Sequence, residues 1–466
     1  WARRRVEMVR ALRVGLAGVG TVGGGIAQIL SGNRSLIAQR CGRAVDLVAV
    51  ADQRPIEALE AELRGHSELK HYSDAVEMAS TADVDVIVET IGGYGVALKI
   101  ANGALGRGVS LVTANKAMLA VHAAELTSVA ESNHAKIGWE AAVGGGIPCI
   151  RALREGCAAN RISYAAGILN GTCNFILTTM KETGRDFDDV LAEAQALGYA
   201  ETPPDLDVDG IDTAHKLSLV AAVATGCLPN YDAVHCEGIR DIQGTDVALA
   251  DELGFSIKLL GIASRIEAVE LGTDFKAAPF RTCVESKTSG GSSTLPLPVK
   301  EDPESRPVVL QRVHPALIPK DAGLGATHGV LNGLFTVGNF VGPVFSQGRG
   351  AGRDATASAC VADLIDLARG NAVPTFGVPA QKLNHMVCAS MDQRVGRYYL
   401  RLGDKGSAAK AALSALAAAG IETETVAAGD AAAITGTALE STMTAVTAQL
   451  KADGQEVKVL RVEGPW

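Results

Sequence analysis

Gly198-Tyr199-Ala200-Glu201-Thr202-Pro203-Pro204-Asp205-Leu206-Asp207-Val208-Asp209-Gly210-Ile211-Asp212-Thr213-Ala214-His215-Lys216 gathers five carboxylates and one lysine into nineteen residues. Two prolines and a glycine shape the backbone between the charges. The apolar run from Leu217 to Thr225 follows directly and predicts a helix beginning near Asp212. Asp212 and Lys216 are four apart, so on that helix they share a face. Taken alone, such a segment reads as a solvated acidic turn capping a helix. Motifs elsewhere in the chain displace that reading.

Toward the N-terminus, Leu12-Arg13-Val14-Gly15-Leu16-Ala17 predicts a short buried strand entering the turn Gly18-Val19-Gly20-Thr21-Val22-Gly23. A helix with Val22, Ile26, Ile29 and Leu30 on its inner side leaves the turn. In a dinucleotide site Gly18 permits the tight turn, Gly20 lets the backbone approach a pyrophosphate and Gly23 allows close helix–strand packing. The phosphates then meet the helix N-terminus at Thr21 and Val22. The next predicted strand, Asp46 to Asp52, ends on an acid suited to ribose hydroxyls, with Asn33 to Gly42 read as an extended loop before it. Arg54 follows two residues later and suits the extra phosphate of NADP, so both NAD and NADP stay open. Further strands (84–90, 110–113, 136–140) alternate with helices (94–105, 117–132), which predicts a doubly wound α/β domain over 11–150. Loops after these strands carry Thr113-Ala114-Asn115-Lys116 and the glycine-rich run Glu140 to Pro148.

At 466 residues and about 150 per domain, two to four domains are expected. A net charge of −9 leaves no basic footprint for nucleic acid or an anionic membrane. No apolar stretch reaches the ~18 residues of a membrane span. Trp1 to Arg10 is basic without the apolar core of a signal peptide, and the absent initiator methionine fits a truncated or upstream-assigned start. The nine cysteines are odd in number and form no C-x-x-C pair, so they read as buried thiols of a reducing cytoplasm. Cys173 has no histidine near it in sequence and reads as a packed core residue.

With these pieces in order the chain resembles homoserine dehydrogenase over most of its length. The matching segments are the glycine turn, Thr113 to Lys116, Glu140 to Pro148, Gly167 to Thr172, Gly198 to Lys216, Glu237 to Asp241, Val313 to Pro319 and Gly348 to Gly352. The resemblance implies reversible hydride transfer between a nicotinamide cofactor, with a slight lean to NADP over NAD, and the pair L-aspartate 4-semialdehyde and L-homoserine. It implies Lys216 as proton donor, Lys116 as a second cation, Asp212 as the group that orients Lys216, and Glu201 with Asp207 on the substrate ammonium. Asp205 and Asp209 read as solvated turn residues. Gly198, Thr113, Lys116 and Gly350 join the glycine turn, Asp52 and Arg54 on the cofactor side. Glu140 with the carbonyls of Val143, Gly145 and Ile147 resembles the family's sodium site, since a hard cation takes oxygens. Pro203 departs from the family pattern, which has Asp, Asn or Ser there, and bears on loop geometry.

The resemblance also implies a substrate and dimerisation domain over 151–329, a return of about 330–375 to the nucleotide domain, and a homodimer or homotetramer. Pro279 to Glu304, rich in Ser, Gly, Pro and charge, reads as an inserted surface loop. Residues 395–466 read as βαββαβ and resemble an ACT domain, a ligand-sensing module. Gly403-Asp404-Lys405-Gly406 stands where that module usually has an acidic-Arg-Pro-Gly turn. Two rival readings are aspartate-semialdehyde dehydrogenase, which needs a catalytic cysteine, and a non-enzymatic nucleotide sensor, which needs no Lys216.

Overall fold

The apolar run Leu12–Ala17 forms strand β1, and parallel neighbours on both edges account for its near-complete burial. A computed structural model describes residues 10–266, 308–371, 373–402, 407–426 and 432–464. The expected insertion at 279–304 and the turn 403–406 lie outside the described residues. The chain divides into two compact units.

The first unit holds residues up to Ala158, Gly226–Pro229 and Gly348–His385. Strands β1, β2 (Val45–Ala51), β3 (Lys70–Tyr72), β4 (Val86–Glu89), β5 (Ser110–Thr113) and β6 (Ile137–Gly138) form an all-parallel sheet in the order β3-β2-β1-β4-β5-β6. The order reverses between β1 and β4, the place where open α/β sheets bind ligands. Helices α1 (Thr21–Gly32), α2 (Arg34–Cys41), α3 (Ala75–Thr81), α4 (Gly95–Leu105) and α5 (Lys116–Ser132) connect the strands. The segment read as an extended loop is therefore α2. Its polar sequence buries only Ile37 and Cys41, one turn apart, and Gly42 closes it at φ +75°. Strand β3 and helix α3 were not anticipated, and β6 is shorter than the expected 136–140 because a helical turn starts at Glu140.

The helix Arg353–Arg369 packs through Ala357, Cys360 and Leu364 into the same core as β1 and α1. Gly25 makes this contact close, since a Cβ there would sit 3.0 Å from that of Ala357. Trp139 locks the following segment, donating from Nε1 to the Thr375 carbonyl at 2.9 Å and packing on Phe376.

The second unit is built on a mixed sheet. Strands β7 (Ile162–Ile168), β8 (Phe255–Ile266), β9 (Val308–Pro319), β10 (Leu331–Gly338), β11 (Gly342–Arg349), β12 (Val395–Leu402), β13 (Thr423–Val426), β14 (Ala432–Thr435) and β15 (Val457–Val462) run across it in the order β11-β10-β7-β8-β9-β15-β12-β14-β13. The longest ladder pairs β8 with β9 antiparallel from Phe255↔Pro319 to Ile266↔Val308. The β10–β11 hairpin joins this sheet, so the return to the first unit begins at Gly348 rather than near 330.

The tail has the expected βαββαβ order, with helices Ser407–Ala418 and Glu440–Ala452 and the strand order β15-β12-β14-β13. Tyr398, Leu400, Leu416, Met443 and Leu450 make its core. It belongs to the second unit, because β15 pairs parallel with β9 at Ala316↔Arg461 and Leu317↔Val462. No described helix is long and apolar enough to cross a membrane.

Candidate active site

In the first unit the glycine turn has the geometry its residues call for. Gly18 sits at φ +90°, and a Cβ on Gly23 would lie 2.0 Å from the Gly18 carbonyl oxygen, so only glycine lets α1 start so close to β1. A Cβ on Gly20 would meet nothing within 4 Å, which leaves the N-terminus of α1, at Thr21 and Val22, open to an anion. Asp52 follows β2 and accepts the Val19 N–H at 3.0 Å and Arg54 Nε at 3.0 Å. The Arg54 hydrogen bond, with those from backbone N–H, holds the Asp52 carboxyl at about 2. Arg54 also donates to the Val19 carbonyl at 2.9 Å, and its side chain remains 45% exposed beside the turn.

Thr113 ends β5 fully buried. Its hydroxyl donates to Glu89 Oε2 at 2.6 Å and accepts the Asn115 N–H at 3.0 Å, so it shapes the loop rather than offering its oxygen outward. Glu89, equally buried at the end of β4, accepts the N–H groups of Ile91 and Gly92 at 2.8 Å each. Asn115 caps α5 at the Met118 N–H, and Lys116 is the first residue of that helix. Glu89 and Asn115 are functional-site residues without an expected role; an acid ending β4 and an asparagine two residues beyond β5 were the available signal.

The Glu140 loop folds onto the return segment. Gly145, at φ +55°, packs so closely on Gly350 that a Cβ would lie 2.3 Å from the Gly350 oxygen, and the Gly146 N–H donates to the Arg349 carbonyl at 2.9 Å. Glu140 is 3% exposed, and its two oxygens accept the Ile150 and Arg151 N–H groups at 2.9 and 2.8 Å. Burial raises its pKa, against those two hydrogen bonds. The Ile147 carbonyl accepts the Cys149 N–H at 2.7 Å. Beneath the loop, buried Asp363 accepts the Glu140 N–H at 2.9 Å and pairs with Arg151 at 2.9 Å. Among the described residues no cluster of three His, Cys, Asp or Glu side chains is arranged for a metal ion.

In the second unit the acidic turn becomes a one-turn helix, Asp205–Val208, followed by the helix Ile211–Thr225. Lys216 Nζ donates to Asp212 Oδ2 at 2.7 Å and to the Leu169 carbonyl at 2.8 Å, with both side chains 11% exposed. Asn170 completes the group: its Nδ2 donates to Asp207 Oδ1 at 2.8 Å and Asp212 Oδ2 at 3.1 Å. Asn170 also caps the helix Gly171–Thr183 at the Cys173 N–H. One amide thus ties both acids to the lysine. Its motif was legible, but its role needed the fold. Burial raises the pKa of Asp207, opposed by the Asn170 hydrogen bond and aided by the charges of Asp212 and Glu201. Glu201 is exposed next to this group, and its carbonyl accepts Gln195 Nε2. Gly198 follows the helix Phe187–Ala196 at φ +73°.

Asp205 and Asp209 are not merely solvated: both pair with Arg240 at 2.5 Å. Cys173 is fully buried, with a pKa pushed well above the usual thiol value by burial. Burial likewise raises Cys41, Cys149 and Cys360, so none of these is an activated nucleophile, whereas Cys236, expected to be buried, is exposed. That removes the support a cysteine-dependent rival would need from them.

An anion-ready glycine turn on a parallel sheet, with a buried lysine held between a carboxylate and a carbonyl in the second unit, marks the class as nicotinamide-dependent oxidoreductases. Residues 148–365 match the family model of homoserine dehydrogenase, and residues 18–140 match the model of that enzyme's NAD-binding domain. Homoserine dehydrogenases of Pseudomonas aeruginosa and Neisseria gonorrhoeae are 39% and 37% identical, each comparison covering 85% of this chain and 83% of the relative. A crystal structure of a homoserine dehydrogenase from Thiobacillus denitrificans superposes with a TM-score of 0.83 at 35% identity, covering 97% of this chain and 98% of that one. The chain belongs to the homoserine dehydrogenase family, and its activity is the oxidoreductase chemistry of that family.

Proposed function

We propose that Lys216 is the proton donor and acceptor for the interconversion of L-aspartate 4-semialdehyde and L-homoserine, carried by its hydrogen bonds to Asp212 and Leu169. The nicotinamide supplies or removes the hydride. Lys216 gives its proton to the oxygen that becomes the alcohol, and takes it back in the reverse direction. Asp212, fixed by Asn170, and the Leu169 carbonyl aim the ammonium group. Lys116 is assigned the second cation. Glu201 and Asp207 take the substrate ammonium; the raised Asp207 pKa fits a carboxylate that gains from a cation brought beside it. Glu201→Gln leaves that ammonium without one of its carboxylates, so the homoserine KM should rise by about 1.5–3 kcal/mol in binding terms. Steady-state kinetics check this, and an unmoved KM assigns the amine to another group.

The glycine turn fits a dinucleotide. Arg54 beside Asp52 supports NADP, which the ratio of Kd values for NADPH and NADH measures. Glu140 and the carbonyls of Val143, Gly145 and Ile147 fit a sodium ion in kind, offering one buried carboxylate and hard oxygens. Sodium-dependent thermal stabilisation, lost in Glu140→Gln, is the corresponding measurement. Exposed Phe340 and Val341, between β10 and β11, support a homodimer through that hairpin, which light scattering with Phe340→Asp tests.

The tail's strand and helix order supports an ACT-like module serving structure more than sensing. Without the usual turn, a ligand carboxylate lacks donors that would favour one state over another. L-threonine titrated to tens of millimolar at fixed homoserine should inhibit weakly or not at all; sigmoidal inhibition below about a millimolar refutes this.

A further inference from the structure

Strand β15 contributes Arg461, whose side chain is 11% exposed and faces two carboxylates at once. Its Nε and Nη2 donate to Glu440 Oε1 at 3.0 and 2.6 Å. Its Nη1 and Nη2 also donate to the two oxygens of Glu237 at 2.5 and 2.8 Å. His235 Nε2 lies 2.7 Å from Glu237 Oε1. Burial works against the charged form of Glu237, yet His235 and Arg461 together bring its pKa down to about 2.

Glu237 opens the segment on which the acidic turn rests. Its N–H donates to the Val313 carbonyl at 2.8 Å, and the Ile239 N–H donates to the Val208 carbonyl at 2.8 Å. Between them, a Cβ on Gly238 would lie 2.3 Å from the Val208 oxygen and 2.6 Å from Asp209 Cα, so backbone meets backbone with no slack. Cys236 Sγ lies 3.2 Å from the Asp209 carbonyl, and Arg240 holds Asp205 and Asp209. The stretch 208–210 follows Asp207 directly and precedes the helix that carries Asp212, so displacement of 236–240 displaces Asp207.

We infer that Arg461 is a positioning residue for the substrate site, acting through Glu237 and the Gly238 contact on the turn that carries Asp207. The inference rests on the assignment of Asp207 to the substrate ammonium. Without the guanidinium, Glu237 and Glu440 are left as like charges around a vacated cation. Their repulsion moves the 236–240 segment and the turn with it. Asp212 and Lys216 stay together on the helix Ile211–Thr225, so the loss falls on substrate binding rather than on the proton step.

The test is steady-state homoserine oxidation by the full-length protein with Arg461→Met, Arg461→Lys, Glu237→Gln, the double variant Arg461→Met/Glu237→Gln, and Asp207→Asn. Arg461→Met should raise the homoserine KM about tenfold with kcat within about twofold and the NADP KM unmoved, the signature of lost ground-state binding. Arg461→Lys should recover most of the affinity, and the double variant should be no worse than Arg461→Met, because both act along one path. Arg397→Met breaks another ion pair of the tail, with Glu424, and should leave the homoserine KM unchanged. If Arg461→Met does not fold, Glu237→Gln carries the test: its homoserine KM should rise, and an unmoved KM overturns the inference. A parallel fall of kcat and thermal stability at constant KM also overturns it, since that is loss of folded protein. A raised KM in Asp207→Asn with none in Arg461→Met overturns the inference while the site reading stands. An unmoved KM in Asp207→Asn removes the site reading itself.

Discussion

Replacing Lys216 by alanine is expected to lower kcat by ~10²-fold or more, the scale of a lost general acid, while cofactor affinity stays nearly intact. The expectation follows from geometry. The ammonium has two fixed partners, the Asp212 carboxylate and the Leu169 carbonyl, and its side chain is 11% exposed. Bulk water therefore has little chance to take over the proton transfer. Asn170 still donates to Asp212 in the variant, so the remaining carboxylate keeps a hydrogen-bond partner and the local fold should survive. The proposed cofactor contacts belong to the glycine turn of the first unit, which is why binding and turnover are expected to separate. Single-turnover NADPH oxidation and a fluorescence titration of NADPH measure the two. Near-normal turnover in the folded variant would sink the assignment.

Glu463→Gln should lower unfolding stability by about 3–5 kcal/mol, the range for a buried ion pair deprived of one partner. Glu463 is 5% exposed and receives Arg312 at 3.0 Å and Arg394 at 3.1 Å, both guanidinium groups themselves buried. Glutamine keeps the shape but leaves two buried cations without their shared anion. His314 lies 3.9 Å from Glu463, yet burial and the nearby arginines push its pKa well below the usual value, so it stays neutral and gives no compensating charge. Burial disfavours the Glu463 carboxylate, but Arg312 and Arg394 outweigh it and lower its pKa. A lowered carboxyl pKa gives stability that is full above the unfolded value of about 4.3 and is lost as pH falls through the folded value. Urea midpoints at neutral pH should therefore separate the two proteins widely, and the gap should shrink as the pH drops below about 4. A constant gap across that window would mean the charge is not the cause.

The parts of this protein that a sequence makes legible are those whose chemistry is local. Gly18, Gly20 and Gly23 announce a phosphate turn because spacing and flanking pattern lie within a dozen residues, and Asp212 and Lys216 share a helix face by their spacing alone. Where a pairing joins residues far apart, the sequence is silent. Asn170 stands 42 residues from Asp212, and Glu237 stands 224 from Arg461. Neither pairing leaves a periodic trace. The return boundary lies later than the resemblance implies for a related reason: β10 and β11 pair into the second sheet before the chain crosses back at Gly348. Helix α2 was missed because its only buried positions are Ile37 and Cys41, too few to show a stripe.

Strand β15 is synthesised after every other strand of the sheet in which it takes a central place, between β9 and β12. Until it emerges from the ribosome, β9 lacks its partner at Ala316 and Leu317, and the buried guanidinium groups of Arg312 and Arg394 have no Glu463 to meet. The first unit also waits for a distant segment, but the second waits longest. Nascent chains halted just before Val457 should accordingly display an open sheet edge, and chaperone occupancy should fall only when translation passes Glu463.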